Sequence, residues 1–255
     1  MFSDQYSSSH QQSLGIKTLV LLAKENPLDP AWEDKFPCLL NCLLDHVRDV
    51  PVNSVNKSGS LDFMSSPMKN LSSSHQMHYL FLQALRSLFQ YIPGHVKSDD
   101  QLKSIIHCML ESTNDAPFEI VNTAENILGN LVTTSVHPEL CLQYLLPYTT
   151  RIDIDLNDNS SPSVLLSTLR TLRFVIDRIS IVTLRQVVPS LLTLFHTTLC
   201  HKSVDMRKAT VFILVEIQVV LGDECQLLDE LSEYQRKLVH VYVERHPRHS
   251  RMAMD

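Results

Sequence analysis

The stretch VDMRKATVFILVEIQVVL, residues 204–221, decides the fold of this chain. From Ala209 onward its apolar side chains lie nearly all the way round a helical wheel, which predicts a helix with neighbours on several sides. Gly222-Asp223 ends this helix, and residues 224–245 form a second, amphipathic helix before His246-Pro247. A buried helix followed by an amphipathic partner is the repeating unit of an α-solenoid, a class of fold that binds other macromolecules.

The same unit recurs along the chain. A small residue sits early in each of four apolar helices, at steps of 40, 43 and 42 residues: Ala84, Ala124, Ser167 and Ala209. An apolar-Pro motif recurs in three partner helices, at Pro37, Pro147 and Pro189. A period of about 42 residues with two helices per unit lies in the HEAT and armadillo range. We therefore predict an all-α fold, an α-solenoid of about five HEAT-type antiparallel helix pairs, with a bundle of similar helices as the alternative.

The composition of successive segments predicts the domain limits. Residues 11–246 form the HEAT-repeat domain, preceded by a disordered N-terminus at 1–10 and followed by a frayed basic tail at 247–255. Residues 50–74 are rich in Pro, Gly, Ser and Asn without a period, which predicts an exposed inserted loop. The predicted helix pairs are 11–25 with 31–48, 75–92 with 98–112, 116–133 with 138–150, 163–179 with 182–200, and 204–221 with 224–245.

Bulk properties exclude several classes of protein. A chain of 255 residues, 44% of them hydrophobic, can form a folded domain, and its five glycines are few for a sheet-rich fold. The net charge of −6 argues against nucleic acid as a partner, because phosphate neutralisation needs a basic face. The longest apolar run is far shorter than a bilayer span, and the polar first ten residues lack a signal peptide's apolar core. We expect an intracellular protein whose six cysteines are reduced and buried.

No sequence motif predicts catalysis. The chain has no Gly-rich phosphate loop, GxSxG, HExxH or CxxC. Cys38, Cys42 and His46 share helical spacing, but a zinc site needs four convergent ligands, so buried structural thiols are the preferred interpretation. Pairs of acidic residues fall in the first turns of predicted helices, where they complement the helix dipole. We predict a protein that is not an enzyme, with no catalytic residues, cofactor or metal.

Three segments carry a resemblance to a known family. Residues 206–247, MRKATVFILVEIQVVLGDECQLLDELSEYQRKLVHVYVERHP, resemble the closing HEAT unit of the CLIP-associating proteins (CLASP). Residues 124–147, AENILGNLVTTSVHPELCLQYLLP, resemble an earlier unit of that family's C-terminal domain. Trp32 with the following EDKFPCLLNCLLD resembles its first unit.

The resemblance implies a scaffold that regulates microtubule dynamics and spindle organisation. The C-terminal domain of that family docks partners at microtubule plus ends, kinetochores and the cell cortex. The implied partners are cytoplasmic linker proteins, a kinetochore motor and cortical adaptors. The implied location is the cytoplasm and cytoskeleton, including microtubules, spindle and kinetochore.

Direct tubulin binding is an alternative within the same resemblance. Tumour-overexpressed-gene (TOG) domains contact tubulin through the loops that join the two helices of each unit, with a Trp in the first loop and basic residues in later ones. Trp32, Lys97 and Arg178 are similar in place. Thr133–Val136 lacks a basic residue and the Gly222–Glu224 turn is acidic, so we expect any association with tubulin to be indirect. An unrelated HEAT-repeat adaptor stays as a further alternative.

The last predicted helix is the candidate partner-binding surface. It carries more apolar residues than one contact stripe needs: Leu238, Val239, Val241, Tyr242 and Val243. The predicted partner-binding residues are Arg236, Lys237, Tyr242 and Arg245. An apolar centre with a charged rim is a common composition of interfaces. The alternative is that these apolar residues pack on the preceding helix. Because that preceding helix, at 204–221, lacks a polar face, we expect both Phe212 and Leu214 to be buried in it.

Overall fold

The structure is a computed structural model that describes residues 2–49, 71–92, 96, 98–135, 137–150, 162–222 and 231–247, with side chains from Gln11 onward. In this part of the chain it contains helices and no strand, so the predicted all-α fold class is confirmed. None of the described helices is long and apolar enough to cross a membrane. The helices are α1 (Phe2–Glu25), α2 (Ala31–Asp49), α3 (Ser73–Tyr91), α4 (Asp99–Glu111), α5 (Phe118–Thr134), α6 (Pro138–Leu145), α7 (Pro147–Thr150), α8 (Ser163–Ile176), α9 (Ile181–Leu199), α10 (Val204–Leu221) and α11 (Glu233–Glu244).

The helices pack into two compact units, Met1–Thr134 and Ser135–Asp255. In the first unit α3 lies between α1 and α5, while α2 packs on α3 and α4 and α4 packs on α5. Each helix turns an apolar face to this core because its apolar residues recur with a helical period. Its largest fully buried side chains are Phe36, Leu40, Leu44, Leu82, Leu85, Leu88, Ile92, Ile105, Ile106, Met109 and Leu110.

Serine side chains fix where two helices of the first unit begin. The Ser72 hydroxyl accepts a hydrogen bond from the His75 N–H at the start of α3. At α4, Ser98 and Gln101 form a capping box in which each side chain accepts a hydrogen bond from the other residue's backbone N–H. Such caps satisfy N–H groups that have no partner within the helix.

In the second unit α10 is the central helix. It packs against α8, α9 and α11, while α6 and α7 pack on α8. Leu214 is fully buried, as predicted, but the prediction for Phe212 is wrong, since Phe212 is only half-buried. The ring of Phe212 points toward cationic side chains and Tyr242 instead of into the core.

The repeated small residues lie where the repeat argument predicts. Ala84, Ala124 and Ser167 are inaccessible to solvent, and Ala209 is nearly so. Each belongs to a helix that lies alongside another within its unit. A larger side chain at these positions would push the helices apart, because protein cores are close-packed.

Helix limits differ from the predictions in three places. The helix predicted from Gln11 begins at Phe2, so residues 2–10 are helical in the structure, and these residues contain no Pro or Gly to end a helix. The segment predicted as one helix at 138–150 is divided at Pro147, which has no N–H to continue the backbone ladder. Helix α3 begins at Ser73, within the predicted 50–74 loop. The rest of that loop, through residue 70, and the tail from residue 248 lie outside the described residues.

Candidate protein-binding surfaces

Trp32 closes the turn between α1 and α2. Its side chain is buried, with 8% of the residue exposed, and its indole Nε1–H donates a hydrogen bond to the Asn26 carbonyl at 2.7 Å. The Asp29 carboxylate accepts a hydrogen bond from the Ala31 N–H at 2.9 Å on the same turn. The Trp32 indole therefore helps to hold this turn, and Leu28, which is 93% exposed, is the apolar side chain that the turn presents to solvent.

The turn between α8 and α9 presents a second set of exposed residues. Arg178 is exposed, as the tubulin-facing alternative requires. The turn is held by buried Ile179 and by Ser180, whose hydroxyl caps α9 by accepting from the Thr183 N–H at 3.1 Å. Lys97, the third residue of that alternative, lies outside the described residues.

Sequence analysis missed two exposed apolar residues beside Arg178. Ile181 and Val182, in the first turn of α9, are 48% and 64% exposed. They precede Leu184, the first buried residue of that helix. Two β-branched apolar residues between an N-cap serine and the first core position were the signal that could have revealed them.

The four residues predicted on the last helix are all exposed but do not share one face. Because an α-helix has 3.6 residues per turn, Tyr242 and Arg245 lie on neighbouring sides, whereas Lys237 is about 140° away from Tyr242. Lys237 also forms an ion pair with Glu233 at 2.6 Å. Tyr242 and Arg245 therefore lie on one side of α11, Arg236 lies opposite Arg245, and Lys237 lies between these two sides.

Part of the alternative interpretation for α11 is right. Val239 and Val243 are buried, and α11 packs on α10. Leu238 is half-buried, while Val241 and Tyr242 are 41% and 40% exposed. Only part of the apolar surface of this helix is therefore used within the unit.

Tyr242 belongs to a cluster centred on Phe212. The two rings make an edge-to-face contact with centroids 5.6 Å apart. The Arg173 guanidinium lies 5.0 Å from the Phe212 ring centroid, and the Lys208 ammonium 5.8 Å from it. Cations over an aromatic face are attracted by its quadrupole, so Phe212 joins α8, α10 and α11 at a partly exposed position.

A buried carboxylate lies beneath this cluster. Glu216 has a side chain only 6% exposed, and its two oxygens meet Arg173 Nε at 2.9 Å and His246 Nε2 at 3.3 Å. A buried carboxylate costs free energy unless it is paired, so these two contacts are required for Glu216 to be tolerated. Sequence analysis missed the pair because its members are 43 positions apart. The signal was Glu216 itself, an acidic residue inside an otherwise apolar stretch.

The cysteines do not form a metal centre in the described part of the chain. Cys38, Cys42 and Cys200 are exposed, which corrects the prediction that they are buried. The Cys42 sulfur contacts His46 Nδ1 at 3.7 Å. The described residues contain no group of three or more His, Cys, Asp or Glu side chains placed to hold a metal ion. Burial raises the pKa of the Cys108 thiol to about 11, which keeps it protonated and unreactive.

Comparisons with known proteins connect these surfaces to a family. No protein-family model matches the chain. Over 228 residues, 89% of the chain, it is 27% identical to CLIP-associating protein 1 of Xenopus tropicalis and to CLIP-associating protein 1-A of Xenopus laevis. The chain is a homologue of part of the CLIP-associating proteins. It spans 13% of the length of each of these CLASP relatives.

A solved structure of TOG domain arrays has the same fold. Its subject is tubulin recruitment and assembly by microtubule polymerases that contain these arrays. The match covers 93% of this chain and 44% of that one, with a TM-score of 0.63 and 14% sequence identity. The predicted relation to CLASP, through a TOG-like HEAT-repeat domain, is confirmed.

Proposed function

We propose that this CLASP-related chain is a non-catalytic protein-binding module of microtubule organisation that contacts tubulin directly. The observation that carries this proposal is the fold shared with TOG domain arrays, which recruit tubulin. Homology to the CLIP-associating proteins supports a role on microtubules. Direct contact replaces the purely indirect association with tubulin that the sequence predicts, because the neighbour of the same fold belongs to a tubulin-recruiting protein.

The contacts are proposed to come from the turns that join the helices of a pair. Leu28 extends into solvent from the α1–α2 turn, and Ile181 and Val182 do so beside Arg178 at the α8–α9 turn. Exposed apolar residues next to an arginine are a composition enriched in protein interfaces. Trp32 has a supporting role, since its buried indole holds the turn that carries Leu28.

Titration of the labelled chain with free αβ-tubulin tests the proposal. A variant with Leu28→Ser, Arg178→Glu and Val182→Ser should bind at least about tenfold more weakly, because a few interface residues carry most of the binding energy. The matched control is Arg236→Glu, an exposed arginine on α11 that should leave the affinity unchanged. Absence of tubulin binding by the unmodified chain, or equal affinity of the triple variant at an unchanged melting temperature, contradicts the proposal.

A second candidate function is the docking of other proteins, favoured by the exposed Tyr242 and the cluster around Phe212. Cytoplasmic linker proteins, kinetochore motors and cortical adaptors are the partners that the family resemblance suggests. The proposed site of action is cytoplasmic microtubules, including the spindle and kinetochore. Imaging of a tagged chain in dividing cells tests this location, and diffuse signal at every stage of division contradicts it.

A further inference from the structure

One surface of the second unit combines exposed apolar residues with cations, and the proposed tubulin contacts do not use it. We call it the Tyr242 face. On α11 its apolar members follow a helical stripe with spacings of 4, 7 and 8 residues from the first, and Phe212 of α10 adjoins them. The members are Tyr234, Leu238, Val241, Tyr242 and Phe212.

These side chains are accessible to solvent to different degrees. Tyr234 is 76% exposed, Leu238 and Phe212 are half-buried, and Val241 and Tyr242 lie between these extremes. Val239 and Val243 supply the contact of α11 with the core, so the stripe on the other side is not needed for that packing. Aromatic residues in such a position carry a large apolar area whose burial by a partner is favourable.

Positive charge surrounds the Tyr242 face. Lys208 and Arg173 lie over the Phe212 ring, and Arg245 follows Tyr242 by three residues. The carboxylate within the cluster, Glu216, is buried and paired, so it exposes little negative charge.

The acidic residues of α11 lie along one edge of the stripe. Glu233 is paired with Lys237, and Glu244 lies 3.3 Å from His240. On α10, Asp205 lies about two turns before Phe212, at the far end of the face. Glu233 is thus matched by Lys237, whereas Arg245, on the line of the stripe, and Lys208 and Arg173 beside Phe212 make the Tyr242 face basic even though the whole chain has a net charge of −6.

We propose that the Tyr242 face docks an acidic amphipathic helix of a partner protein. Apolar residues of that helix at positions i, i+3 or i+4 and i+7 would pack on Tyr242, Leu238 and Phe212. Its flanking carboxylates would meet Lys208 and Arg245. A helix is favoured as the occupant because the stripe follows a helical period and the described residues present no strand edge for an added strand.

A selection from a library of random 16-residue peptides tests this chemistry. Peptides displayed on phage are selected on the intact chain and counter-selected on the variant Tyr234→Ser/Tyr242→Ser, which alters the face without changing its charge. The selection should enrich sequences with apolar residues at helical spacing and several Asp or Glu on the flanks. Enrichment of basic sequences, or of sequences without helical apolar spacing, overturns the proposal, as does a selection that enriches nothing.

Two variants with the same change of net charge distinguish the face from a general electrostatic effect. The most enriched peptide, labelled with a fluorophore, should bind Arg245→Glu at least about tenfold more weakly than the unmodified chain. It should bind Arg236→Glu, which alters the opposite side of α11, within about twofold. Both variants should keep their melting temperature, since both side chains are exposed.

Equal losses in the two variants, or no loss in the first, overturn the proposal. The same variants are titrated with αβ-tubulin. Because the proposed tubulin contacts lie at the helix-pair turns, tubulin affinity should be unchanged in both, which separates failure of this proposal from failure of the tubulin proposal.

Discussion

Trp32 in α2 and Phe212 in α10 are large aromatic residues that have opposite environments. The Trp32 side chain is buried, and its one polar atom is satisfied by the Asn26 carbonyl. The Phe212 ring is half-buried, lies beneath two cations and contacts a partly exposed tyrosine. The first arrangement stabilises a turn, whereas the second leaves aromatic surface accessible to a partner.

The difference shows how neighbours decide the role of an aromatic residue. Trp32 lies beside a tight turn that folds back over the indole, so the residue that extends from this turn is Leu28. Phe212 lies on the side of α10 where Arg173 and Tyr242 meet, and neither covers the ring completely. Binding is therefore expected at the residues beside Trp32 and at Phe212 itself.

The largest expected effect is on stability at Trp32. Trp32→Ala should lower the free energy of unfolding by about 3–5 kcal/mol, because it leaves a cavity and removes the hydrogen bond to Asn26. Denaturant unfolding followed by far-UV circular dichroism measures the change. Leu28→Ala on the same turn is the control and should cost less than about 0.5 kcal/mol. A loss below about 1 kcal/mol for Trp32→Ala would mean that the indole is not part of the core.

On α10, truncation of two neighbouring residues should lower the free energy of unfolding by different amounts, because one is in the core and the other is partly exposed. Leu214→Ala should cost about 2–4 kcal/mol, since Leu214 is fully buried. Phe212→Ala should cost less, about 1–2 kcal/mol, since its ring is already partly hydrated and loses chiefly the contacts with Arg173 and Tyr242. Equal losses measured by denaturant unfolding would place Phe212 in the core and remove the contrast with Trp32.

The carboxylate below Phe212 offers a third comparison. Glu216→Gln keeps the shape of the side chain but removes the charge that faces Arg173 and His246. We expect a loss of about 1–2 kcal/mol, which is below the usual range for a broken buried pair because the Arg173 side chain is 38% exposed and can be solvated. The loss should shrink in an Arg173→Met background, as a double-mutant cycle requires if the two residues interact. An unchanged loss would mean that the pair is not coupled.

The free energy of unfolding should depend on pH through a buried histidine of the first unit, His78. Burial, with a smaller contribution from His75, lowers the pKa of His78 from 6.5 to about 4. The unfolded chain therefore binds a proton between pH 6.5 and 4 that the folded chain does not, so stability falls as the pH falls through this window. We expect His78 to account for a loss of about 1 kcal/mol between pH 7 and pH 5.5.

The matched variant for this prediction is His78→Gln, which cannot titrate. It should remove that part of the pH dependence while shifting the stability at pH 7 by a constant amount. Denaturant unfolding of both proteins at pH 7 and pH 5.5 provides the measurement. Parallel pH profiles for the two would show that His78 does not carry the effect.

The fold could be predicted from the sequence because its signals are local and periodic. The small residues Ala84, Ala124 and Ser167 recur with the period of the helix pairs, about 42 residues, and all three are buried. The candidate sites depend on which side of a helix faces a neighbour, which periodicity does not determine when a helix such as α10 is apolar all round. Phe212 was therefore misassigned. Glu216 and its partners Arg173 and His246 are brought together only by packing.

The proposed tubulin contact is the central claim, and hydrogen–deuterium exchange of the intact chain with and without αβ-tubulin tests it most directly. Bound tubulin should slow exchange at the α1–α2 turn around Leu28 and at the α8–α9 turn around Arg178 and Val182. It should leave exchange along α11, which carries Tyr242, unchanged. No protection at either turn under saturating tubulin, or protection confined to α11, would contradict the account.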